Sequence, residues 1–185
     1  MTGAPCRIPE ELAHGLRQVF RLGRLPHTLD DLACVTEADL GPFTEGVEER
    51  LISFTPTRHQ VRTGGETLYT HCVMDALILP ALRNQPAEIR SSDPEAGEQV
   101  QIQVTSEGFV EDCAVFSEAI VSFGVAREGG GSVYELACPF INIFASRANY
   151  EKWARAHGEA LTLPIRLENA AWLARAWVGA GSSCC

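Results

Sequence analysis

The chain has 185 residues, 45% of them hydrophobic, and a formal net charge of −9 at pH 7. This length and composition suffice for one domain with a sizeable core, or for one domain with a small added module. The negative charge argues against nucleic acid and anionic lipid as partners. No apolar run reaches transmembrane length, and the first residues lack a basic region followed by an apolar core, so we expect a soluble, cytoplasmic protein.

Apart from the adjacent Cys184 and Cys185, the cysteines are widely spaced, and no Cys-x-x-Cys pair is present. Their odd number and the lack of a signal peptide argue against a disulfide framework, and their spacing argues against a structural zinc site. We therefore expect reduced thiols, some of which are able to bind soft metals. The seven are Cys6, Cys34, Cys72, Cys113, Cys138, Cys184 and Cys185.

The first third of the chain predicts short helices followed by a β-hairpin. Residues 10–22 carry an apolar stripe, Thr28-x-x-Asp31 opens a helix like a capping box, and Thr36-x-x-Asp39 resembles a second opening. A further helix is predicted over residues 43–51. Three helices and a hairpin are the element order of a winged helix, so residues 1–63 are interpreted as a winged-helix-like module.

That module does not have the charge of a DNA reader. The candidate recognition helix carries Glu45, Glu48 and Glu49, which have the wrong sign for contacts with phosphate. We therefore favour a scaffold or lid role for the module.

After Gly64-Gly65 the pattern changes to strands that alternate with a few helices. Alternation is clearest in residues 100–104, and further strands are predicted at 67–69, 87–90, 109–110 and 119–123. Residues 147–157 and 167–178 predict helices, the second with Trp172 on its packed side. The fold class is therefore α+β: a mixed α/β catalytic domain over 64–180 with a largely antiparallel sheet, and a flexible tail over 181–185.

One segment stands out chemically, because residues 72–79 are all apolar or thiol-bearing except Asp75. The composition predicts a helix buried on all sides, which Pro80 ends or kinks. Cys72 and Asp75 are three residues apart and share one helix face. Burial makes a carboxylate costly to ionise, so Asp75 is expected to have a raised pKa and to carry a proton beside a thiol. A purely structural thiol and a capping carboxyl remain the alternative.

These residues resemble the organomercurial (alkylmercury) lyase family. The resemblance spans about residues 68–172. It rests on the Cys72-x-x-Asp75 segment with its downstream proline and on a second cysteine far along the chain, with smaller agreements around them. The matching positions are Leu68-Tyr69, Cys72, Asp75, Leu77-Ile78, Pro80-Ala81-Leu82, Ser91-Ser92, Cys138, Phe144-Ala145-Ser146 and Trp153.

The resemblance implies an enzyme that cleaves the carbon–mercury bond by protonolysis, giving a hydrocarbon and Hg(II), in mercury resistance and detoxification. It implies that Cys72, Cys138 and Asp75 contact the metal and carry the catalysis, with Asp75 as proton donor. No organic cofactor is implied, only external thiols that remove the mercuric ion. Cellular thiols or a mercuric reductase are the implied acceptors of Hg(II).

The chain also departs from the family pattern. His71 stands where a bulky aromatic residue is expected, Asp93 where other members carry a structural cysteine, and Pro139 where some carry an adjacent second thiol. Cys184-Cys185 is a thiol pair suited to collecting or handing on mercuric ion, with an end of no function as the alternative. Cys6, Cys34 and Cys113 are interpreted as core or incidental thiols.

Three rival functions share some of this evidence. A non-enzymatic protein that holds Hg(II) or Cu(I) needs the thiols but no proton donor. A winged-helix metal regulator needs a DNA-binding surface, which the acidic helix and the net charge disfavour. A redox switch needs Cys72 and Cys138 to form a reversible disulfide. The acid beside the thiols favours the lyase.

Overall fold

The computed structural model describes residues 6–40, 47–115 and 117–179. The helices within these ranges are α1 (Glu10–Phe20), α2 (Leu29–Leu40), α3 (Val47–Leu51), α4 (Val73–Arg83), α5 (Val133–Leu136), α6 (Arg147–Ala156) and α7 (Leu167–Gly179), with a 3-10 turn at Cys138–Phe140. The strands are β1 (Ile52–Ser53), β2 (His59–Thr63), β3 (Glu66–Thr70), β4 (Ala87–Ser92), β5 (Gln99–Val104), β6 (Val110–Cys113), β7 (Ile120–Ala126), β8 (Ile143–Phe144) and β9 (Ala160–Arg166).

The strands form two antiparallel sheets. The larger has the order β1-β3-β2-β4-β5-β6, and the smaller has the order β8-β7-β9. Helix α4 packs against α7 and against strands of the larger sheet, while α1 packs against β7 and β9. Buried side chains from both sheets and from these helices belong to one hydrophobic core. The predicted α+β class with antiparallel sheets is therefore confirmed.

The hairpin predicted in the first third of the chain is part of the larger sheet. Gly64 and Gly65 form its two-residue turn, and both have positive φ, which a tight hairpin of this kind requires and glycine adopts without strain. Strand β2 pairs with β3 on one side and with β4 on the other. Strands from both sides of the expected boundary at residue 63 thus share one sheet, and the winged-helix interpretation stays a prediction.

Helix α4 is buried as its composition predicts. Every residue from Val73 to Pro80 is buried. Of the two expectations for Pro80, an end of the helix is wrong, because α4 continues to Arg83, and a kink stays a prediction. A proline inside a helix removes one backbone hydrogen bond, and here burial on all sides of the helix offsets that loss.

The other local predictions are confirmed only in part. The Thr28 cap is confirmed, since its hydroxyl accepts the Asp31 N–H at 3.0 Å. The second opening at Thr36 is wrong, because α2 runs unbroken through it. Residues 41–46 and the tail at 181–185, with Cys184 and Cys185, lie outside the described residues. Trp172 is 39% exposed rather than packed, and Trp177 is the buried indole of α7.

The helices within the described ranges are also too short or too polar to cross a bilayer.

Candidate active site

Two thiols and one carboxyl meet at the start of α4. The sulfurs of Cys72 and Cys138 and a carboxylate oxygen of Asp75 all lie within 4.8 Å of one another. The Cys138 Sγ lies 4.0 Å from Asp75 Oδ2. Among the residues that the structure describes, this is the group of three potential ligands close enough to hold one metal ion. The structure thus brings together the three residues that the sequence singled out.

The trio formed by Cys72, Asp75 and Cys138 is almost entirely shielded from solvent. Cys72 is 2% exposed, Cys138 is 7% exposed and Asp75 is 8% exposed. Val73, Met74 and Leu77 are buried in the same core as the two cysteines, so apolar groups line that side. Phe144 belongs to a second cluster with Tyr150 and Trp153, and Phe140 packs against it.

The three-residue spacing of Cys72 and Asp75 fixes their orientation. Cys72 precedes α4 in an extended conformation, and Asp75 lies in the first helical turn. From there Asp75 Oδ2 accepts the backbone N–H of Cys72 at 3.1 Å, which satisfies a donor that the helix itself leaves unpaired. The Thr70 hydroxyl donates to the Cys72 carbonyl at 2.9 Å and holds the same residue from the strand side.

The segment that carries Cys138 is held by β7. Ser122 Oγ donates to the Phe140 carbonyl at 2.7 Å and accepts the Asn142 N–H at 3.0 Å. The Asn142 side chain in turn donates to the Pro139 carbonyl at 2.9 Å. These bonds close the loop just after Cys138, so the position of its sulfur depends on a buried serine in a neighbouring strand.

The two segments also touch directly. The Val73 N–H donates to the Ile141 carbonyl at 3.4 Å, which joins the first turn of α4 to the loop after Cys138. Sequence reasoning missed Ser122 and Asn142, because polar residues within apolar segments carry no signal of what they bond to.

Burial controls the protonation of Asp75 and Cys72. It raises the pKa of the Asp75 carboxyl to about 7, while hydrogen bonds from the Cys72 side chain and backbone oppose the shift. The Cys72 thiol has a pKa well above its ordinary value because of burial, the hydrogen bond with Cys138 and the charge of Asp75. Near neutral pH the carboxyl thus exchanges its proton readily while the Cys72 thiol keeps its own. The predicted raised pKa of Asp75 agrees with this environment.

An aromatic pair lies beside the site. The rings of His71 and Tyr134 have their centroids 4.8 Å apart and are tilted by 49°. His71 directly precedes Cys72, and Tyr134 is on α5, four residues before Cys138. Partial burial raises the pKa of the Tyr134 phenol, and the charge of Asp75 adds to this shift. Sequence analysis noted His71 but not Tyr134.

Asp93 is a buried carboxylate that anchors two segments by hydrogen bonds. Its Oδ1 accepts the N–H groups of Glu95 and Ala96 at 2.8 and 3.1 Å. Its Oδ2 accepts the Ala145 N–H at 2.9 Å and the Asn149 side-chain amide at 2.8 Å. Four donors compensate for burying the carboxylate, which ties the turn after β4 to the segment between β8 and α6.

The remaining described cysteines do not join the trio. Cys6 and Cys34 are half-buried, and Cys113 is buried at the end of β6. Burial raises the pKa of the thiols of Cys6 and Cys113. Among the described residues, none of these three lies in a group of potential metal ligands, in line with the expected core or incidental role.

Known proteins resemble this chain in both sequence and fold. The family model described as MerB, alkylmercury lyase, matches residues 52–179. An alkylmercury lyase of Streptomyces lividans is 32% identical over 169 residues, which are 81% of this chain and 74% of that protein. One of Staphylococcus epidermidis is 30% identical over 114 residues, 62% of this chain and 51% of that protein. The chain thus spans about half the length of that second relative.

A solved structure agrees with the fold. The mercury-bound form of MerB2 superposes with a TM-score of 0.58 at 18% identity, covering 95% of this chain and 93% of that one. The family match covers more than half of the chain, and the Streptomyces lividans protein is similar over most of it. The chain therefore belongs to the alkylmercury lyase family, enzymes that cleave the carbon–mercury bond.

Proposed function

We propose that this chain cleaves the carbon–mercury bond of an organomercurial by protonolysis, with Cys72 and Cys138 as sulfur ligands and Asp75 as proton donor. The observation that carries the proposal is the convergence of two sulfurs and one carboxyl within 4.8 Å in a buried site. Family membership supports the reaction, and the geometry supports the assignment of roles.

Mercury is the substrate atom in this scheme, and sulfur is the protein ligand that a soft cation prefers. A thiol that binds mercury exchanges its S–H bond for an S–Hg bond and gives up its proton. Asp75 Oδ2, 4.0 Å from the Cys138 sulfur and bonded to the Cys72 backbone, is placed to receive such a proton. Binding by the second sulfur raises the electron density on mercury and on the carbon attached to it.

The bond changes then balance. Two S–H bonds and the carbon–mercury bond break, while two S–Hg bonds and one C–H bond form. One of the two protons passes from Asp75 to the carbon, which leaves as the hydrocarbon, and the other is released to solvent. General acid catalysis of this kind contributes on the order of 10²–10⁴-fold, and the remaining acceleration comes from ligation and positioning.

The raised pKa of Asp75 suits the carboxyl both to accept a proton from a thiol and to release it to carbon. A carboxyl with a pKa of about 7 accepts a proton from a metal-bound thiol and releases it to carbon near neutral pH. An ordinary aspartate stays ionised at that pH and is a weaker acid catalyst. Burial of Asp75 is thus part of the chemistry and is not only a packing feature.

The remaining parts of the scheme follow from the product. Hg(II) held by two sulfurs leaves when external thiols exchange with them, so cellular thiols or a mercuric reductase act as acceptors, and no organic cofactor takes part. The cytoplasm, where thiols are kept reduced, is the compartment that suits this exchange. The first 63 residues act as a winged-helix-like scaffold rather than as a DNA-binding module.

The test is hydrocarbon release. Purified protein is incubated with methylmercury or phenylmercury and excess thiol, and methane or benzene is measured in the headspace. Cys72→Ser and Cys138→Ser are expected to abolish release, while Asp75→Asn is expected to bind mercury but to release hydrocarbon about 10²–10⁴-fold more slowly.

Cys113→Ser is the matched control, because it removes a buried thiol outside the trio and is expected to keep full turnover. Stoichiometric mercury binding by the wild type with no hydrocarbon would instead show a protein that only holds the metal. Unchanged turnover in Asp75→Asn would contradict the proton-donor role.

A further inference from the structure

The trio is too well shielded to admit a substrate in the conformation described. Cys72 and Cys138 are 2% and 7% exposed, and an organomercurial needs contact with both sulfurs. A loosely held segment of the wall around the site must therefore move to admit the substrate.

Most of the wall is firmly held. The residues of α4 from Val73 to Pro80 are buried. Strand β7 is buried over nearly all of its length and pairs with β9 along every residue. The loop after Cys138 is fixed by Ser122 and Asn142 through the hydrogen bonds described above. Moving any of these segments would break core packing or several buried hydrogen bonds.

Among the described segments around the site, helix α5 is the least firmly held. None of its four residues is buried. It follows an exposed segment that contains Gly129, Gly130 and Gly131, whose backbone is unrestricted by side chains. Its cap is local, with the Ser132 N–H and hydroxyl both donating to Glu135. Val133 is the partly buried side chain with which α5 packs against the core. A short helix with few buried contacts and a glycine-rich connection opens at low cost in free energy.

The side chain that α5 carries to the site is Tyr134. Its ring lies against His71 with centroids 4.8 Å apart, and its exposed fraction is 37%. His71 belongs to the segment of the first thiol, and Tyr134 belongs to the segment of the second. One partly exposed aromatic contact thus joins the two cysteine-bearing segments.

We propose that His71 and Tyr134 form a gate over the two thiols, which opens when α5 swings outward and which limits the size of the hydrocarbon group that enters. The inference rests on the proposed function for its substrate, an organomercurial. It assigns to both residues control of access and specificity rather than a part in the proton transfer. Closure of the gate after entry excludes water from the trio.

Access is measured by alkylation of the thiols, which requires no turnover. Cys72 and Cys138 are labelled with iodoacetamide and with a bulky maleimide, and each site is quantified by mass spectrometry. Tyr134→Ala and His71→Ala are expected to speed labelling by the bulky reagent about tenfold or more relative to the small one, because the open state becomes more populated. Tyr134→Phe, which keeps the ring, is expected to label like the wild type.

Phe109→Ala is the matched control, since Phe109 is an exposed aromatic residue that contacts Arg175 away from the site. This substitution is expected to change neither the rate of labelling by iodoacetamide nor the rate of labelling by the maleimide. Circular dichroism confirms that each variant is folded, and His71→Ala tests the gate independently if Tyr134→Ala does not fold. An unchanged ratio of bulky to small labelling in the folded alanine variants would overturn the gate.

Turnover supplies a second readout. In the alanine variants the ratio of phenylmercury to methylmercury cleavage is expected to rise, whereas a purely structural role would lower both rates alike. If no variant and no wild-type sample releases hydrocarbon, the proposed function fails while the labelling ratios still decide the gate.

Discussion

At the scale of one residue, two opposing effects act on the charge of the Asp75 carboxyl. As the capping group of α4 it accepts the Cys72 N–H, and such hydrogen bonds favour the charged form. Burial disfavours the charged form and is the larger effect, so the pKa of Asp75 is raised to about 7. Burial thus suits the carboxyl to proton transfer. It also lowers the stability of the folded state at neutral pH, where the carboxyl begins to ionise.

The pH dependence of stability tests this cost. Because the pKa of Asp75 is about 7 in the folded state against an ordinary value of 3.8, the folded state binds more protons between about pH 4 and pH 7. The contribution of Asp75 to stability therefore falls as pH rises through that window, by up to about 4 kcal/mol, and then stays level. Buried His59, whose pKa is lowered to about 3, contributes in the opposite direction in both proteins and cancels when the variant is compared with the wild type. Asp75→Asn stays neutral, so it is expected to match the wild type near pH 4 and to exceed it in stability at pH 8.

Urea denaturation at a series of pH values measures this difference. Asp112→Asn, at an exposed position on β6, is the control and is expected to follow the wild-type curve. A difference between Asp75→Asn and the wild type that does not change with pH would show that the folded carboxyl is not a high-pKa acid.

The element that positions the second thiol is the loop after Cys138, and its key contact is Ser122 on β7. Ser122→Ala removes the acceptor of the Asn142 N–H and the donor to the Phe140 carbonyl. Leaving such groups buried and unpaired is expected to cost about 1–3 kcal/mol of stability. A looser loop also lets the Cys138 sulfur drift from Asp75, so hydrocarbon release is expected to fall by about 10-fold or more.

Ser92→Ala is the control for the loss of a serine hydroxyl outside the loop, because Ser92 bonds the exposed side chain of Gln99. That control is expected to change stability by about 0.5 kcal/mol or less and to leave turnover intact. Full turnover in Ser122→Ala despite lower stability would show that other contacts place the sulfur.

The elements that sequence predicts well are those whose own residues decide them. Buried helix α4 follows from an unbroken apolar segment, and β5 follows from strict alternation. Strand β9 was missed, since Pro164 within an apolar segment argues against a strand. It pairs only with β7 at the edge of its sheet, where a missing N–H is tolerated. Trp172 was misplaced because which face of α7 is covered depends on distant elements.

The site shows the same division between local and long-range information. The pairing of Cys72 with Asp75 is local and was predicted from their spacing. The expectation that they share one helix face is wrong, because Cys72 precedes α4 in an extended conformation and the two residues meet at its cap. The place of Cys138, 63 residues beyond Asp75, depends on β7 and its loop, and only the family resemblance pointed to it. The supporting contacts of Ser122, Asn142, Asp93 and Tyr134 depend on which segments meet, which spacing within one segment does not encode.

At the scale of the molecule, the first third of the chain is built into the structure around the site. The first 63 residues include β1 and β2, the two neighbours of β3 in the larger sheet, so their removal leaves β3 unpaired. Leu12, Leu16 and Leu32 are buried in the same core as the trio. Each contributes about 1.5–3 kcal/mol by burial, a large part of the stability of a domain.

A chain that begins at Gly64 is therefore expected not to fold cooperatively, although it keeps all three residues of the trio. Its thermal unfolding, followed by near-ultraviolet circular dichroism, should lack a sharp transition, and Cys72 and Cys138 should react with a thiol reagent at the rate of an unfolded peptide. A chain that begins at Cys6 keeps every described element and serves as the control. Cooperative unfolding of the shorter chain, with both thiols protected, would show that the site is sustained by the later residues alone and that the β2 strand is dispensable to the sheet.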